Sequence, residues 1–582
     1  MEIEWTDENK ALMTSTGHVL CLGGPGSGKT TISLLKANDE IAKAVLRSGQ
    51  RVLFLSFARA TIARVEEHAE TFLKSETRKY LEISTYHGFT WSILRSHGYL
   101  LTSATPITLL PPAESAAALS EIVSDDDKLA EKKRLFIEDG RLDFDLFAGL
   151  TAELLSRSTS LRRLVSETYP IIILDEFQDT DANEWELIKA LGIDSRLIAL
   201  ADPEQRIYEF RGASPTRIPE FIEAFSPTEI DFTNTNHRSA GTDICLFGND
   251  LLTGVNKAKT YEHVEIIKYP FRRPPGDHLD LKITVLKRRK AILESNPDSW
   301  SLAILVPTKK LMLEVSEYLA TKQEFNNGKV APEIDNEAML DAEGPALAAV
   351  TIAGLLSAEG TAVDISQRLI TDLCRHIRGR KGGAKPSQQQ LSLAGGLEAF
   401  VDTGNLRGPK RKAIAEECLA ISEQRLQLVM SGDPGKDWLQ VRSLFSNASA
   451  PDLQNVANDA RFLKFLNRGT QLRSRLAEIW RTTGTYTGAG SAVDVALTRE
   501  HFAAASQTFQ GIHVMTLHKS KGKQFTEVIV YEGPAKYRDK IVRPNGTEQD
   551  VARGKLILRV GVTRAERFTS ILSPANQPCP LI

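Results

Sequence analysis

Short apolar runs closed by turns set the rhythm of the first third of the chain. They lie at 18–22, 52–57, 171–174 and 197–200, and the last three are followed at once by polar residues. Runs this short, with no alternation, fit the buried strands of a parallel α/β sheet whose strand ends carry a site. Between the second and third runs, 91–166 becomes helical and charged and reads as inserted. A second strand-rich region opens at 302–307 and resumes only at 511–516 and 528–530. The intervening 324–508 is patterned for helix, with loops such as the Gly- and Lys-rich 379–386. The pattern therefore predicts an α/β chain of two cores, each interrupted by a mainly helical insertion. The first core takes 1–90 and 167–235 around an insertion at 91–166; the second takes 236–323 and 509–582 around one at 324–508. No short repeat or low-complexity tract breaks this plan.

Composition changes the picture little. A chain of 582 residues exceeds what one hydrophobic core sustains, so several domains are expected. Hydrophobic content of 42%, charged content of 25% and a net charge of −2 describe an ordinary globular chain, neither fibrous nor disordered. Binding to a polyanion would need basic groups gathered locally while acidic surface cancels them elsewhere. The five cysteines are scattered with no C-x-x-C pair, which points to a reducing cytoplasm. The first residues are acidic and polar, unlike a secretory signal, and no run approaches eighteen apolar residues, so a spanning helix is not expected.

Chemistry enters directly after the first apolar run. Gly23-Gly24-Pro25-Gly26-Ser27-Gly28-Lys29-Thr30 fits G-x-x-x-x-G-K-[ST] between a strand-like run and a helical stretch at 31–45. Glycines let backbone N–H groups turn inward around a triphosphate, and the following helix offers its positive end. Lys29 suits the outer phosphates and the Thr30 hydroxyl suits Mg²⁺, with Ser27 and Thr31 completing the cradle. The alternative is a glycine-rich turn without a ligand. Farther on, the run 171–174 ends in Asp175 and Glu176. Asp175 suits the metal and Glu176 suits orienting and deprotonating a water; the alternative is a solvated strand end.

The string Asp175-Glu176-Phe177-Gln178-Asp179-Thr180 resembles the DE-x-QDT signature of the UvrD, Rep and PcrA group of superfamily 1 DNA helicases. The resemblance continues in order: 202–213 resembles motif III, 236–239 motif IV, 514–522 motif V and 560–565 motif VI. It implies two RecA-like P-loop cores that use ATP and Mg²⁺ and bind single-stranded DNA or junctions, moving 3′ to 5′ and unwinding duplex. Gln205 would sense the γ-phosphate, and Arg238 and Arg564 would reach it from the second core. Tyr208 and Phe210 would stack on bases with Arg211 bridging to the nucleotide, although both aromatics also fit a core role. Phe57, Thr85 and His87 resemble the strand-holding motifs Ia and Ic, and Thr516 and His518 fall in motif V beside Gly522.

Departures concentrate on the base and ribose side. The adenine-reading glutamine falls at Asn9, the stacking aromatic of motif IV at His237, and the motif V glutamate at Gln524. Looser discrimination among nucleoside triphosphates is the expectation. Basic clusters at Arg375, Arg378, Arg380, Lys381 and Lys385, and at Arg407, Lys410, Arg411 and Lys412, read as solvated loops or as duplex contacts. Two rival functions stand beside the motor. One is a DNA-responsive regulatory ATPase that switches a partner nuclease, in general build similar to the helicase-like subunits of anti-phage systems such as Gabija. The other is an inactive scaffold, against which the intact Lys29, Asp175, Glu176, Gln205, Arg238 and Arg564 argue.

Overall fold

The computed structural model describes residues 6–24, 27–43, 46–47, 49–57, 59–102, 106–203, 214, 216–232, 241–254, 260–295, 300–325, 328–338, 343–380, 386–460, 471–502, 509–534, 539–543 and 546–582. Contacts divide the chain into two units. One comprises Met1–Phe89, Thr151–Leu340 and Ala504–Ile582; the other comprises Thr90–Leu150 and Asp341–Ala503.

The first unit holds two six-stranded sheets, both parallel throughout. In chain order its opening strands are β1 (Val19–Leu22), β2 (Val52–Ser56) and β3 (Leu81–Thr85). The short β4 (Thr108–Leu110) and β5 (Arg141–Asp143) pair with each other in the second unit. Then come β6 (Ile171–Leu174), β7 (Arg196–Ala201) and β8 (Thr228–Asp231), completing a first sheet in the order β3-β2-β6-β7-β1-β8. The second sheet draws on β9 (Val264–Tyr269), β10 (Ser301–Val306), β13 (Glu337–Ala338), β14 (Gly511–Thr516), β15 (Phe525–Tyr531) and β16 (Ala565–Pro574). Its order is β13-β14-β10-β15-β16-β9, and β11 (Gln323–Glu324) and β12 (Val330–Ala331) form a separate antiparallel pair. The second sheet is thus assembled from strands more than 170 residues apart, β13 and β14 pairing across the long insertion.

Continuous apolar runs form these strands because both sheet faces are covered. In the second sheet, Ala303, Leu305, Met515, Val528 and Val530 pack one way, and Leu302, Ile304, Val306, Val514 and Ile529 the other. In the first, Val19, Cys21, Val52, Phe54, Ile171 and Ile173 meet Ile32, Leu34 and Ala37 of the helix that follows the P-loop. At roughly 1.5–3 kcal/mol for each large aliphatic side chain fully buried, these layers fix where the strand ends lie. The second unit has its own core, built on Ile352, Leu369, Leu373, Leu397, Val441 and Leu476 of its helices. No helix among the described residues is long and apolar enough to cross a membrane.

Candidate nucleotide site

Helices α1 (Asp7–Thr14) and α2 (Lys29–Ala42) flank β1. Thr6 caps α1 by accepting from the Asn9 amide at 3.3 Å, and Asn9 is half-buried on that first turn. Gly28 caps α2 with a left-handed backbone, φ +83°, where a side chain would be strained. The Lys29 ammonium donates to the carbonyls of Gly23 at 2.6 Å and Gly24 at 3.0 Å and to Ser27 Oγ at 3.2 Å. Thr30 begins α2 beside it, half-buried, and Thr31 Oγ1 lies 3.4 Å from His68 Nδ1 of the next helix, α3 (Arg59–Phe72). Pro25 and Gly26 lie outside the described residues.

A charge cluster that sequence reading missed holds this framework. Lys36 of α2 donates to Met13 O and Ser15 O at 2.7 and 2.9 Å and pairs with Glu40 at 2.6 Å. Arg196 pairs with Glu40 at 2.9 Å and donates to Gly17 O and Ser15 O at 2.8 and 2.7 Å. The turn from α1 into β1 is thereby pinned by two cations sharing one carboxylate. Although burial pushes the Glu40 carboxyl up, its bonds to Lys36 and Arg196 hold it below the usual range.

The acidic side of the site comes from β6 and β7. Asp175, buried, accepts a hydrogen bond from the Ser56 hydroxyl at the end of β2, 3.0 Å away. Glu176 has a left-handed backbone, φ 54°, uncommon outside glycine. Gln178 donates to the Glu176 carboxylate at 2.6 Å while its own carbonyl accepts from the Asp202 amide at 3.0 Å. Phe177, fully buried against Trp185 and Phe221, anchors the turn that presents these groups.

The second sheet meets this acidic edge with cations. After β14, Ser520 through Lys523 form a tight turn: the Lys523 amide donates to Ser520 O at 3.0 Å across Gly522, φ +77°. A positive φ at the third turn position explains the glycine there. The turn carries Lys521, buried, into an ion pair with Asp179 and to within 3.6 Å of Glu176. Arg559, on the helix Glu548–Val562, approaches Asp202 at 3.9 Å, and Thr547 and Asp550 cap that helix reciprocally. Arg564, just beyond it, is buried with its Nε donating to Val560 O at 2.9 Å. Burial pushes the Glu176 carboxyl up, but Lys521, Arg564, Gln178 and Lys29 together hold it below the ordinary value. Cations of both sheets thus converge on one carboxylate. Burial pushes the Asp179 carboxyl up to about 7 in spite of Lys521, with Glu176 adding to the rise.

Lys29, Asp175, Glu176 and Arg564 are therefore brought together. Gln205, Tyr208, Phe210, Arg211, His237 and Arg238 lie outside the described residues. Among the residues that resemble motifs Ia and Ic, Phe57 stacks on buried Tyr86 at 4.4 Å between ring centres, and Thr85 Oγ1 accepts from the Gly88 amide at 2.9 Å. His87 is half-buried, Thr516 ends β14, and burial lowers the His518 pKa, with Arg553 adding to the fall. Gln524 is half-buried next to Lys523. Many cations of the two basic clusters are tied down within the second unit: Arg375 to Asp372, Arg378 to Glu121, Arg380 to Asp459 and Lys410 to Asp452, at 2.6–3.3 Å. Arg411 donates to Ser392 O at 2.7 Å, and Lys381 and Lys385 lie outside the described residues. Internal pairing, rather than a free loop, accounts for these paired side chains.

Comparison with known proteins adds an independent line. Residues 5–138 and 126–226 match the UvrD/REP helicase N-terminal domain. ATP-dependent DNA helicase Rep of Escherichia coli (strain K12) is 24% identical over 279 residues, covering 40% of this chain and 41% of that protein. Rep of Salmonella typhimurium is 25% identical over 271 residues, 39% of this chain and 40% of its own. ATP-dependent DNA helicase PcrA of Staphylococcus aureus (strain Mu50) is 21% identical over 280 residues, 41% and 38% of the two chains. The chain thus spans about two fifths of the length of the curated relatives it matches.

Proposed function

Because the chain belongs to the UvrD/Rep/PcrA family of superfamily 1 helicases, we propose that it is an ATP-dependent DNA helicase or translocase, each six-stranded sheet forming one RecA-like core. The observation that carries this reading is Lys521 of the second sheet, ion-paired with Asp179 and 3.6 Å from Glu176 of the first, where the charges of Lys29 and Arg564 also lower the carboxyl. Such an arrangement does its work only when both sheets contribute, as a motor driven by closure requires.

The donors fit the groups the reading needs. Thr30 and Asp175 offer a hydroxyl and a carboxylate, the hard oxygen ligands Mg²⁺ prefers, and Lys29 and Arg564 offer cations to phosphate oxygens. Mg²⁺ held by Thr30 and Asp175 would supply positive charge to offset that of the phosphates. Ser56 orients the Asp175 carboxylate. Glu176, kept ionised by its cationic neighbours and aimed by Gln178, takes the proton of the attacking water. Lys29 exchanges the Gly23 and Gly24 carbonyls for phosphate oxygens. Arg564 reaches the same phosphate from the second core, so hydrolysis withdraws a contact between cores and lets them part. Movement 3′ to 5′ along single-stranded DNA, and opening of duplex ahead of it, follow from the kinship.

The test pairs ATP hydrolysis with strand displacement, each with and without single-stranded DNA. DNA-stimulated turnover with unwinding supports the motor; stimulation without unwinding favours a regulatory ATPase acting on a partner; no turnover favours a scaffold. Lys29→Ala abolishes hydrolysis on this reading, a loss of about 100-fold or more, since it removes the phosphate-bound cation.

A further inference from the structure

Among the cations gathered at the second sheet, Lys523 stands apart. Lys521 has Asp179 and Glu176, and Arg559 has Asp202 and Asn249. Lys523 is half-buried, and among the described residues its ammonium donates to one acceptor, the Lys519 carbonyl at 2.5 Å. Among the described residues no carboxylate pairs with it. Its charged neighbours are Lys519 and Arg564, both of the same sign. Burial, with the charges of those two neighbours, brings the ammonium down to about 8. A desolvated cation that meets no counter-charge among the described residues, and is repelled by Lys519 and Arg564, is costly in the ligand-free protein.

The turn that places it explains where its partner must come from. Lys521 and Lys523 flank Gly522, and Lys521 points into the carboxylates at the end of β6. Lys523, on the other side of the glycine, shares its surroundings with Arg564, whose charge also reaches Glu176. Anion-binding concavities are built in this way, from same-sign groups held close by the backbone until a polyanion arrives. A phosphate chain supplies several acceptor oxygens and enough charge to relieve the repulsion.

We propose that Lys523 is a phosphate-binding residue of the nucleotide site, a third cation that engages the triphosphate together with Lys29 and Arg564. The proposal rests on the nucleotide-site reading above and goes beyond it by assigning a role to a residue that neither the motif resemblance nor the comparisons single out. DNA phosphates share the same chemistry, and the experiment separates the two sources. Binding of the non-hydrolysable AMP-PNP with Mg²⁺ is measured by titration calorimetry, and binding of fluorescein-labelled oligo-dT by anisotropy, for the wild-type chain, Lys523→Met and Lys523→Arg. Lys523→Met weakens AMP-PNP about tenfold, the worth of one charge-assisted contact, leaves oligo-dT binding unchanged, and is largely rescued by Lys523→Arg. In the absence of ligand Lys523→Met melts no lower than wild type, because it removes a cation without a counter-charge; a purely structural lysine would give a lower melting point. Equal AMP-PNP affinity in wild type and Lys523→Met overturns the proposal alone, as does a loss confined to oligo-dT. A folded wild-type chain that binds no AMP-PNP overturns the nucleotide-site reading and this proposal with it.

Discussion

Both sheets of the first unit are parallel, six-stranded and covered on both faces, and both present polar residues beyond their strand ends, but with opposite charge. The first sheet offers Asp175, Glu176, Asp179 and Asp202, with Lys29 as the P-loop cation; the second offers Lys521, Lys523, Arg559 and Arg564. A net charge of −2 conceals this, because acids on one side cancel cations on the other. The difference teaches how the labour is divided. On the proposed reading, the acidic edge places a metal and a water, the basic edge completes the phosphate shell, and neither does the whole. Attraction between the edges is already expressed through Lys521, whose ion pair ties the second sheet to the first.

The largest break in this comparison is Lys521→Met. With side-chain exposure of 3% for Lys521 and 1% for Asp179, removing the ammonium leaves Asp179 buried and uncompensated beside Glu176. The cost lies below the range of about 3–5 kcal/mol for a pair broken to leave a buried charge, because Asp179, already raised to about 7, takes up a proton once the ammonium is gone. Adding Asp179→Asn recovers part of it, since the buried carboxyl that must take up a proton goes too. Urea denaturation of the four proteins of the cycle measures the coupling; additive effects would mean that the two edges do not communicate through this pair.

A smaller effect sharpens the acidic side alone. Ser56→Ala removes the hydroxyl that holds Asp175, a hydrogen bond to a charged group worth about 1.5–3 kcal/mol. Part of that reappears as poorer metal placement. The Mg²⁺ concentration giving half-maximal hydrolysis rises about three- to tenfold, equivalent to about 0.6–1.4 kcal/mol and so a part of that range, while the KM for ATP stays within about twofold. A change in KM without a change in Mg²⁺ dependence would put Ser56 outside the metal's support.

Ser56 also shows where sequence reading stops. Glycine spacing and the apolar runs at 52–57, 171–174 and 511–516 announce β2, β6 and β14, since buried strands leave an unbroken apolar trace. The edge strands β3 and β8 carry no such trace: Leu81–Thr85 is half-buried throughout, and Thr228–Asp231 exposes three of its four residues. Lys29, Asp175, Glu176 and Arg564 are singled out by the sequence because each belongs to a compact motif. Ser56 and Lys521 act on residues 119 or more positions away, and Lys523 is marked by having no carboxylate beside it among the described residues; a linear string records neither. Lys36, Glu40 and Arg196 were missed for the same reason: i,i+4 pairs on a helix look like solvated charge until Arg196, 156 residues on, closes the cluster.

That last cluster offers the smallest and most local comparison, two cations balanced by one carboxylate within a single sheet rather than across two. Glu40, whose bonds to Lys36 and Arg196 hold its folded pKa below the unfolded value, contributes stability that is present above the ordinary glutamate pKa of about 4.3 and is lost as pH falls through the lower folded value. In that window the unfolded chain binds more protons than the folded one, so stability rises with pH. Glu40→Gln removes this contribution and is the less stable protein at neutral pH, where Lys36 keeps only its carbonyl acceptors at Met13 and Ser15. The gap between variant and wild type therefore narrows as pH drops from about 5 to about 3, by at most one proton's worth of slope. Urea titrations at a series of pH values read that slope directly. A gap that is independent of pH would show that the carboxylate contributes by hydrogen bonding alone, and that the first sheet, unlike the pair it makes with the second, is not held by charge.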